Sequence, residues 1–210
     1  MVATLRIGID FDNTIAGYDH LFNAAAHENG WLTDGATRTK REIRDLLRAG
    51  EDGDTKWQDL QARVYGPLMK QAELVPGAGE FLARCKDRSA EIFIVSHKTE
   101  FARRDRGDIN LRTGSRQWMD QRGFFDPGTY AMDPANVYFE STREEKIQRI
   151  AKLGLRCFID DLEEIFLDPL FPADVRQLHF APGLKMANGT AYASFPTWNE
   201  ISDAVFDDQN

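Results

Sequence analysis

Two aspartates stand two residues apart in Asp10-Phe11-Asp12-Asn13-Thr14, directly after the apolar run Leu5 to Ile9. Carboxylates at i and i+2 crowd like charge, which favours a bound cation or a raised pKa on one of them. A second acid pair, Asp160-Asp161, closes the apolar run Leu155 to Ile159. A single acid there would serve as a helix cap, whereas two adjacent ones give a hard cation an additional oxygen ligand. Between the pairs, Ser96-His97-Lys98-Thr99 follows the apolar run Ile92 to Val95 and offers a hydroxyl and backbone N–H groups. A serine after a strand is also an ordinary turn residue. Lys146 falls in the first turn of a helix that Thr142 is placed to cap. A cation there opposes the helix dipole unless an anion lies near it; Glu144 and Glu145 offer a plain partner, and a solvated lysine is the simple alternative.

The elements that must position these residues are short. Leu5 to Ile9, Ile92 to Val95, Val137 to Phe139, Leu155 to Ile159 and Val175 to Phe180 are strand-length apolar runs, nearly all without clean alternation. Such runs suit strands buried on both faces, and the segments between them carry helical periodicity. The pattern predicts an α/β fold built on a parallel sheet flanked by helices. In open sheets of this kind the carboxyl ends of the strands are where ligands bind, and each candidate residue sits beside such an end.

About 80 residues separate the first two strands, more than one crossover helix needs, so residues 16 to 75 read as a helical insert, leaving 1–15 and 76–210 as the core. Tyr18, Leu21, Phe22 and Ala25 have helical spacing up to Asn29-Gly30. Thr39 with Glu42 forms a capping box before Ile43, Leu46 and Leu47, and Thr55 with Gln58 repeats the signature before Leu60 and Val64. Thr142 with Glu145 is a third box, and Trp198, Ile201 and Val205 predict a last helix. Phe22, Trp31, Trp57 and Tyr65 could stack on a sugar or a base, but aromatics at helical spacing more commonly build a core.

The order acid pair, hydroxyl, lysine, acid pair resembles the haloacid dehalogenase superfamily, whose four motifs fall at Asp10 to Thr14, Ser96, Lys146 and Asp160-Asp161. The resemblance spans Leu5 to Phe180. It implies a Rossmann-like core, Mg²⁺ as cofactor, phosphomonoester hydrolysis and a small helical cap at the first insertion point. It further implies Asp10 as nucleophile and Asp12 as general acid and base. Thr14, Ser96, His97 and Lys146 would lie at the phosphate. Mg²⁺ would be held by the Asp10 side chain, the Asp12 backbone carbonyl and Asp161, with Asp160 beside it.

The chemistry has its own logic. A phosphate dianion approaching an aspartate is repelled, so positive charge and hydrogen-bond donors must surround the transferring group. Halide leaves without a proton, so an acid two residues after the nucleophile points to phosphoryl transfer rather than dehalogenation. A phosphomutase or other phosphotransferase of the same fold is the alternative reading. A receiver-like phosphoacceptor module is another, although receivers carry their phosphorylated aspartate after a later strand. There is no glycine-rich phosphate loop and no G-x-S-x-G elbow, which removes kinase-like and serine hydrolase readings.

Composition narrows the partners. The 210 residues hold 26 Lys and Arg against 34 Asp and Glu, a net charge of −8. That balance argues against duplex nucleic acid or an anionic membrane as the main partner and leaves room for a small anionic substrate; the resemblance implies a small phosphorylated metabolite, a sugar phosphate before a nucleotide. His97, Lys98, Arg103, Arg104 and Arg106 form a local basic stretch, interleaved with Asp105 and Asp108, that could line a substrate mouth or form a solvated loop. Cys85 and Cys157 have no metal or disulfide spacing. With no leader-like opening and no membrane-length apolar run, the expected location is the cytoplasm. Oligomeric state has no signature here.

Overall fold

The computed structural model describes residues 4–102, 109–184 and 192–207. Along the chain lie β1 (Arg6–Ile9), β2 (Ala16–Gly17), α1 (Asp19–Glu28), α2 (Lys40–Arg48), α3 (Gly53–Tyr65) and β3 (Glu73–Leu74). They are followed by α4 (Ala78–Asp87), β4 (Glu91–His97), α5 (Leu111–Gln121), β5 (Val137–Glu140) and α6 (Arg143–Lys152). The chain ends with β6 (Cys157–Asp160), α7 (Glu163–Phe166), β7 (Arg176–Phe180), β8 (Ala193–Phe195) and α8 (Trp198–Phe206).

Six strands form one sheet in the order β5-β4-β1-β6-β7-β8, and each described pairing is parallel. The register sets Ile9 beside Ile94 on one side and beside Ile159 on the other. Because the strands are parallel, Asp10, Ser96 and Asp160 emerge at the same edge. Gly8 is required in the middle of β1. A Cβ there would come within 2.4 Å of Leu155 Cδ1 and 2.6 Å of Phe158 Cδ2, distances no packed core accommodates. Phe93, Val95, Ile150, Leu155, Phe158 and Phe166 belong to one buried cluster of this sheet and its helices.

The chain divides into two compact units. One contains residues 1–16, 74–98 and 120–210; the other contains Gly17–Glu73 together with Thr99–Met119. Thus the segment 16–75 anticipated as a complete insert is only part of the second unit, and a stretch after β4, assigned from sequence to the core, joins it. Trp118 shows why, because its indole nitrogen donates to the Ala72 carbonyl at 2.8 Å and its ring is buried. Within this unit Phe22 stacks on Trp57 at 5.3 Å and Tyr18 meets Tyr65 edge-on at 5.0 Å. Phe22 and Trp57 are buried, so they are core aromatics and not a stacking platform for a ligand.

Local signals largely locate the helices. The Thr39–Glu42 and Thr142–Glu145 capping boxes are both formed, with each threonine accepting from the N3 amide and each glutamate accepting from the cap amide. Thr55 does not cap α3. That helix starts earlier, at Gly53, behind a left-handed Asp52. β8 and α7 carry too few apolar residues for periodicity to reveal them.

Candidate active site

Asp10 and Asp160 are the first residue after β1 and the last of β6, on adjacent strands. The Asp10 amide donates to the Ile159 carbonyl at 2.8 Å, so the ladder continues one step and sets the two carboxylates side by side. Two buried carboxylates in that position repel. Lys146 resolves the conflict, because its Nζ lies 2.6 Å from Asp10 Oδ1 and 2.6 Å from Asp160 Oδ2. Lys146 is only 1% exposed. It is therefore no solvated lysine, and the anions that compensate its place at a helix N-terminus are these two aspartates. The Thr142 capping box fixes where α6 begins and so where Lys146 points.

The electrostatics follow from burial and pairing. Burial opposes the charge on Lys146, but Asp10 and Asp160 outweigh it and hold its pKa above the usual lysine value. Burial pushes Asp160 up to about 7, with Lys146 pulling it down and Asp10 pushing it further up. The remaining oxygen of Asp160 accepts from the Leu162 amide at 3.0 Å.

Asp161 follows at once and completes a trio. Ligand oxygens of Asp10, Asp160 and Asp161 lie within 4.8 Å of one another. Thr14, fully buried, directs its hydroxyl to Asp161 Oδ1 at 3.4 Å. Under this loop, His179 Nε2 lies 3.2 Å from the Asp161 carbonyl oxygen and its Nδ1 lies 3.0 Å from Ser194 Oγ. Sequence reading assigned His179 no role. Its position follows from the register, which pairs it with Asp160.

On the other side of β1, Ser96 is buried at the end of β4, opposite Phe139. The strand alternates here, with Ser96 in, His97 out and Lys98 in. His97, anticipated at the phosphate, is exposed, and its Nε2 lies 3.0 Å from the Ser141 carbonyl oxygen. Among the described residues of this segment, Lys98 is a basic side chain that reaches the acid pair. Its Nζ lies 2.9 and 2.8 Å from the two carboxylate oxygens of Asp12. The signal that could have found it is the period-2 spacing from Ser96, which places both on one strand face. Arg103, Arg104, Arg106, Asp105 and Asp108 lie outside the described residues.

Asp12 and Thr14 are brought into place by a tight turn. Asn13 adopts a left-handed backbone, φ 63°, which asparagine tolerates better than most residues. The Asn13 amide donates to the Ala16 carbonyl and the Ile15 and Ala16 amides donate to the Phe11 carbonyl. Phe11, between the two aspartates, is buried and meets Phe139 edge-on at 5.9 Å, which directs the flanking acids to the other side.

No protein-family profile and no curated protein matches the chain. Solved structures do. The chain is similar to a haloacid dehalogenase-like family hydrolase from Xanthomonas campestris, with 12% identity, 97% of this chain and 95% of that chain covered, and TM-score 0.55. It has the haloacid dehalogenase-like fold. A HAD hydrolase from Bacillus subtilis, solved with bound magnesium, matches at 12% identity over 97% of this chain and 99% of its own, with TM-score 0.56. Protein Tyrosine Kinase A from Mycobacterium tuberculosis matches at 13% identity over 98% and 100%, with TM-score 0.62. In this fold the acid pairs, Ser96 and Lys146 all lie at strand ends or the adjoining helix start. Among the described residues no helix is long and apolar enough to cross a membrane.

The donor set fits a hard divalent cation. Carboxylate oxygens from Asp10, Asp160 and Asp161 are the ligand chemistry that Mg²⁺ takes. Among the described residues, the Asp10, Asp12, Asp160 and Asp161 carboxyls gather here with the Lys98 and Lys146 ammonium groups.

Proposed function

We propose that the protein is a Mg²⁺-dependent phosphatase that hydrolyses a small phosphomonoester through an aspartyl-phosphate intermediate. The observation that carries this reading is Asp10 beside Asp160 and Asp161, with Lys146 clamped between the first two. Asp161 is the better direct metal ligand, because both oxygens of Asp160 already accept hydrogen bonds, from Lys146 and from the Leu162 amide.

Mg²⁺, held by Asp10, Asp161 and the Asp12 carbonyl, would supply positive charge against the phosphoryl oxygens. Lys146 restrains Asp10 and adds a second positive charge beside it. An Asp10 carboxylate oxygen attacks phosphorus; the new oxygen–phosphorus bond of the aspartyl phosphate, an acyl phosphate, forms as the bond to the substrate oxygen breaks, and Asp12 gives that oxygen a proton. Water then attacks the phosphorus, Asp12 takes its proton, inorganic phosphate leaves and Asp10 is restored. Ser96 brings a hydroxyl to the same sheet edge for the phosphoryl oxygens, while the buried Thr14 hydroxyl donates to Asp161. An acid at Asp12 favours a leaving alcohol over halide, which needs no proton, although one similar structure is described as a dehalogenase. A sugar phosphate is the favoured substrate and a nucleotide the second. With both thiols buried and unpaired, we place the enzyme in the reducing cytoplasm.

The test is phosphate release from p-nitrophenyl phosphate, then from a panel of sugar phosphates, nucleotides and phosphorylated acids. With Mg²⁺ the protein should release phosphate, and Asp10→Asn or EDTA should abolish it. Stable phosphorylation without turnover would replace this reading with a receiver-like phosphoacceptor, and transfer to a sugar hydroxyl would replace it with a phosphomutase.

A further inference from the structure

His179 is a buried ring that the motif pattern does not include and the reaction above does not use. The sheet register aligns it with Asp160 on β6 and with Ser194 on β8. Its Nε2 lies 3.2 Å from the Asp161 carbonyl oxygen. A carbonyl only accepts, so Nε2 is the donor. Across the ring, Nδ1 lies 3.0 Å from Ser194 Oγ, and a hydroxyl can either give or take that hydrogen bond. The contact with Asp161 therefore needs no particular charge on the ring.

The carbonyl of Asp161 and the amide of Leu162 belong to one planar peptide unit. Its amide end donates to Asp160 Oδ1 at 3.0 Å, and its carbonyl end accepts from His179. The two bonds leave a trans peptide on opposite sides, so a rotation of the plane breaks both. Asp161 adjoins this plane, and its carboxylate oxygen lies within 4.8 Å of those of Asp10 and Asp160. Two residues on, Glu163 Oε2 accepts from the Tyr192 hydroxyl at 2.6 Å, and the Tyr192 ring stands edge-on to His179 at 5.4 Å. Residues of the β7–β8 edge thus hold the loop after β6 at two points.

We propose that His179 is a positioning residue for the cation site: by holding the Asp161–Leu162 peptide plane it orients the residue whose carboxylate is offered to Mg²⁺. The inference rests on the Mg²⁺-dependent reading of the site. A ligand oriented in advance loses less freedom when the cation arrives, so the hold appears as affinity. His179 acts through Asp161 and is assigned no contact with the cation or the substrate.

The measurement is the Kd for Mg²⁺ by isothermal titration calorimetry, on the full chain dialysed free of EDTA and without substrate. Removing the outer partner of a metal ligand costs about 10- to 100-fold in metal affinity, so His179→Phe, which keeps a ring beside Tyr192 and Phe166, should raise Kd by that factor. His179→Gln sets an amide donor near the place of Nε2 and should recover most of the loss. Ser194→Ala keeps the ring and removes its second partner, so it should weaken Mg²⁺ in the same direction by less. It carries the test if circular dichroism shows His179→Phe unfolded. A ring that merely filled space would lower the unfolding temperature of the metal-free protein and leave Kd where it was.

An unchanged Kd in folded His179→Phe, or in Ser194→Ala where that variant stands in, overturns the assignment and leaves the cation site standing. A loss in His179→Gln as large as in His179→Phe also overturns it, because the donated hydrogen bond would then not be what matters. Wild-type protein that gives no heat with Mg²⁺ overturns the Mg²⁺ reading and the assignment with it.

Discussion

The indole Nε1 of Trp198 donates to the carbonyl oxygen of Thr14 across 3.0 Å, joining two residues 184 positions apart. Thr14 closes the turn that holds Asp10 and Asp12, and Trp198 opens α8. The ring lies against Phe81 at 4.9 Å and Phe180 at 5.7 Å. The last helix therefore braces the first loop.

Trp198→Phe keeps an aromatic ring in that niche and removes the donor. The Thr14 carbonyl is left buried without its partner, which costs about 1–3 kcal/mol. Urea unfolding should show that loss, together with reduced phosphate release as the turn loosens. A change of only a few tenths of a kcal/mol would mean that another group takes over the carbonyl.

Cation binding should be visible without turnover. Mg²⁺ that binds the folded chain alone stabilises it, by about 2.7 kcal/mol at a hundredfold excess over Kd. Thermal unfolding of wild-type protein should rise on adding Mg²⁺, and Asp161→Asn should remove most of that rise. An unchanged unfolding temperature in wild type would show that the three acids hold no cation.

The metal-free protein should carry a pH signature of Asp160. Its pKa is raised in the fold to about 7, mainly by burial, so folding favours its protonated form. Its contribution to stability is fully present below its unfolded value and is lost as pH climbs from about 4 to about 7. In EDTA, urea midpoints of wild type should thus fall relative to Asp160→Asn across that window. Saturating Mg²⁺ should flatten the difference, because a bound cation stabilises the carboxylate.

Cys85 and Cys157 should be inert in the native state. Burial pushes both thiols up, Cys157 to about 12, so neither supplies thiolate near neutral pH. A thiol reagent at pH 8 should label neither until denaturant is added, and then both. Rapid labelling of folded protein would show that the sheet opens far more readily than its packing suggests.

The folding signals that proved legible are local ones. The apolar runs at β1, β4, β5, β6 and β7, and the capping boxes at Thr39 and Thr142, each depend on residues a few positions apart, so the chain alone reveals them. The same holds for the acid pairs and Ser96, because their position after a strand already implies the carboxyl edge of a parallel sheet. Thr55 misled because its capping pattern is met inside α3, where the backbone amides already have helical partners.

What the sequence by itself determined was the sheet, the strand ends and the residue types gathered there, since periodicity and capping are short-range physics. Tertiary structure alone decided the pairings: Lys146 between Asp10 and Asp160, Lys98 instead of His97 on Asp12, Trp198 on Thr14, and Thr99–Met119 grouped with the helical unit. Each joins charges or donors that lie far apart along the chain. Their energies depend on distance and burial, which exist only once strand register has fixed which side chains share a face.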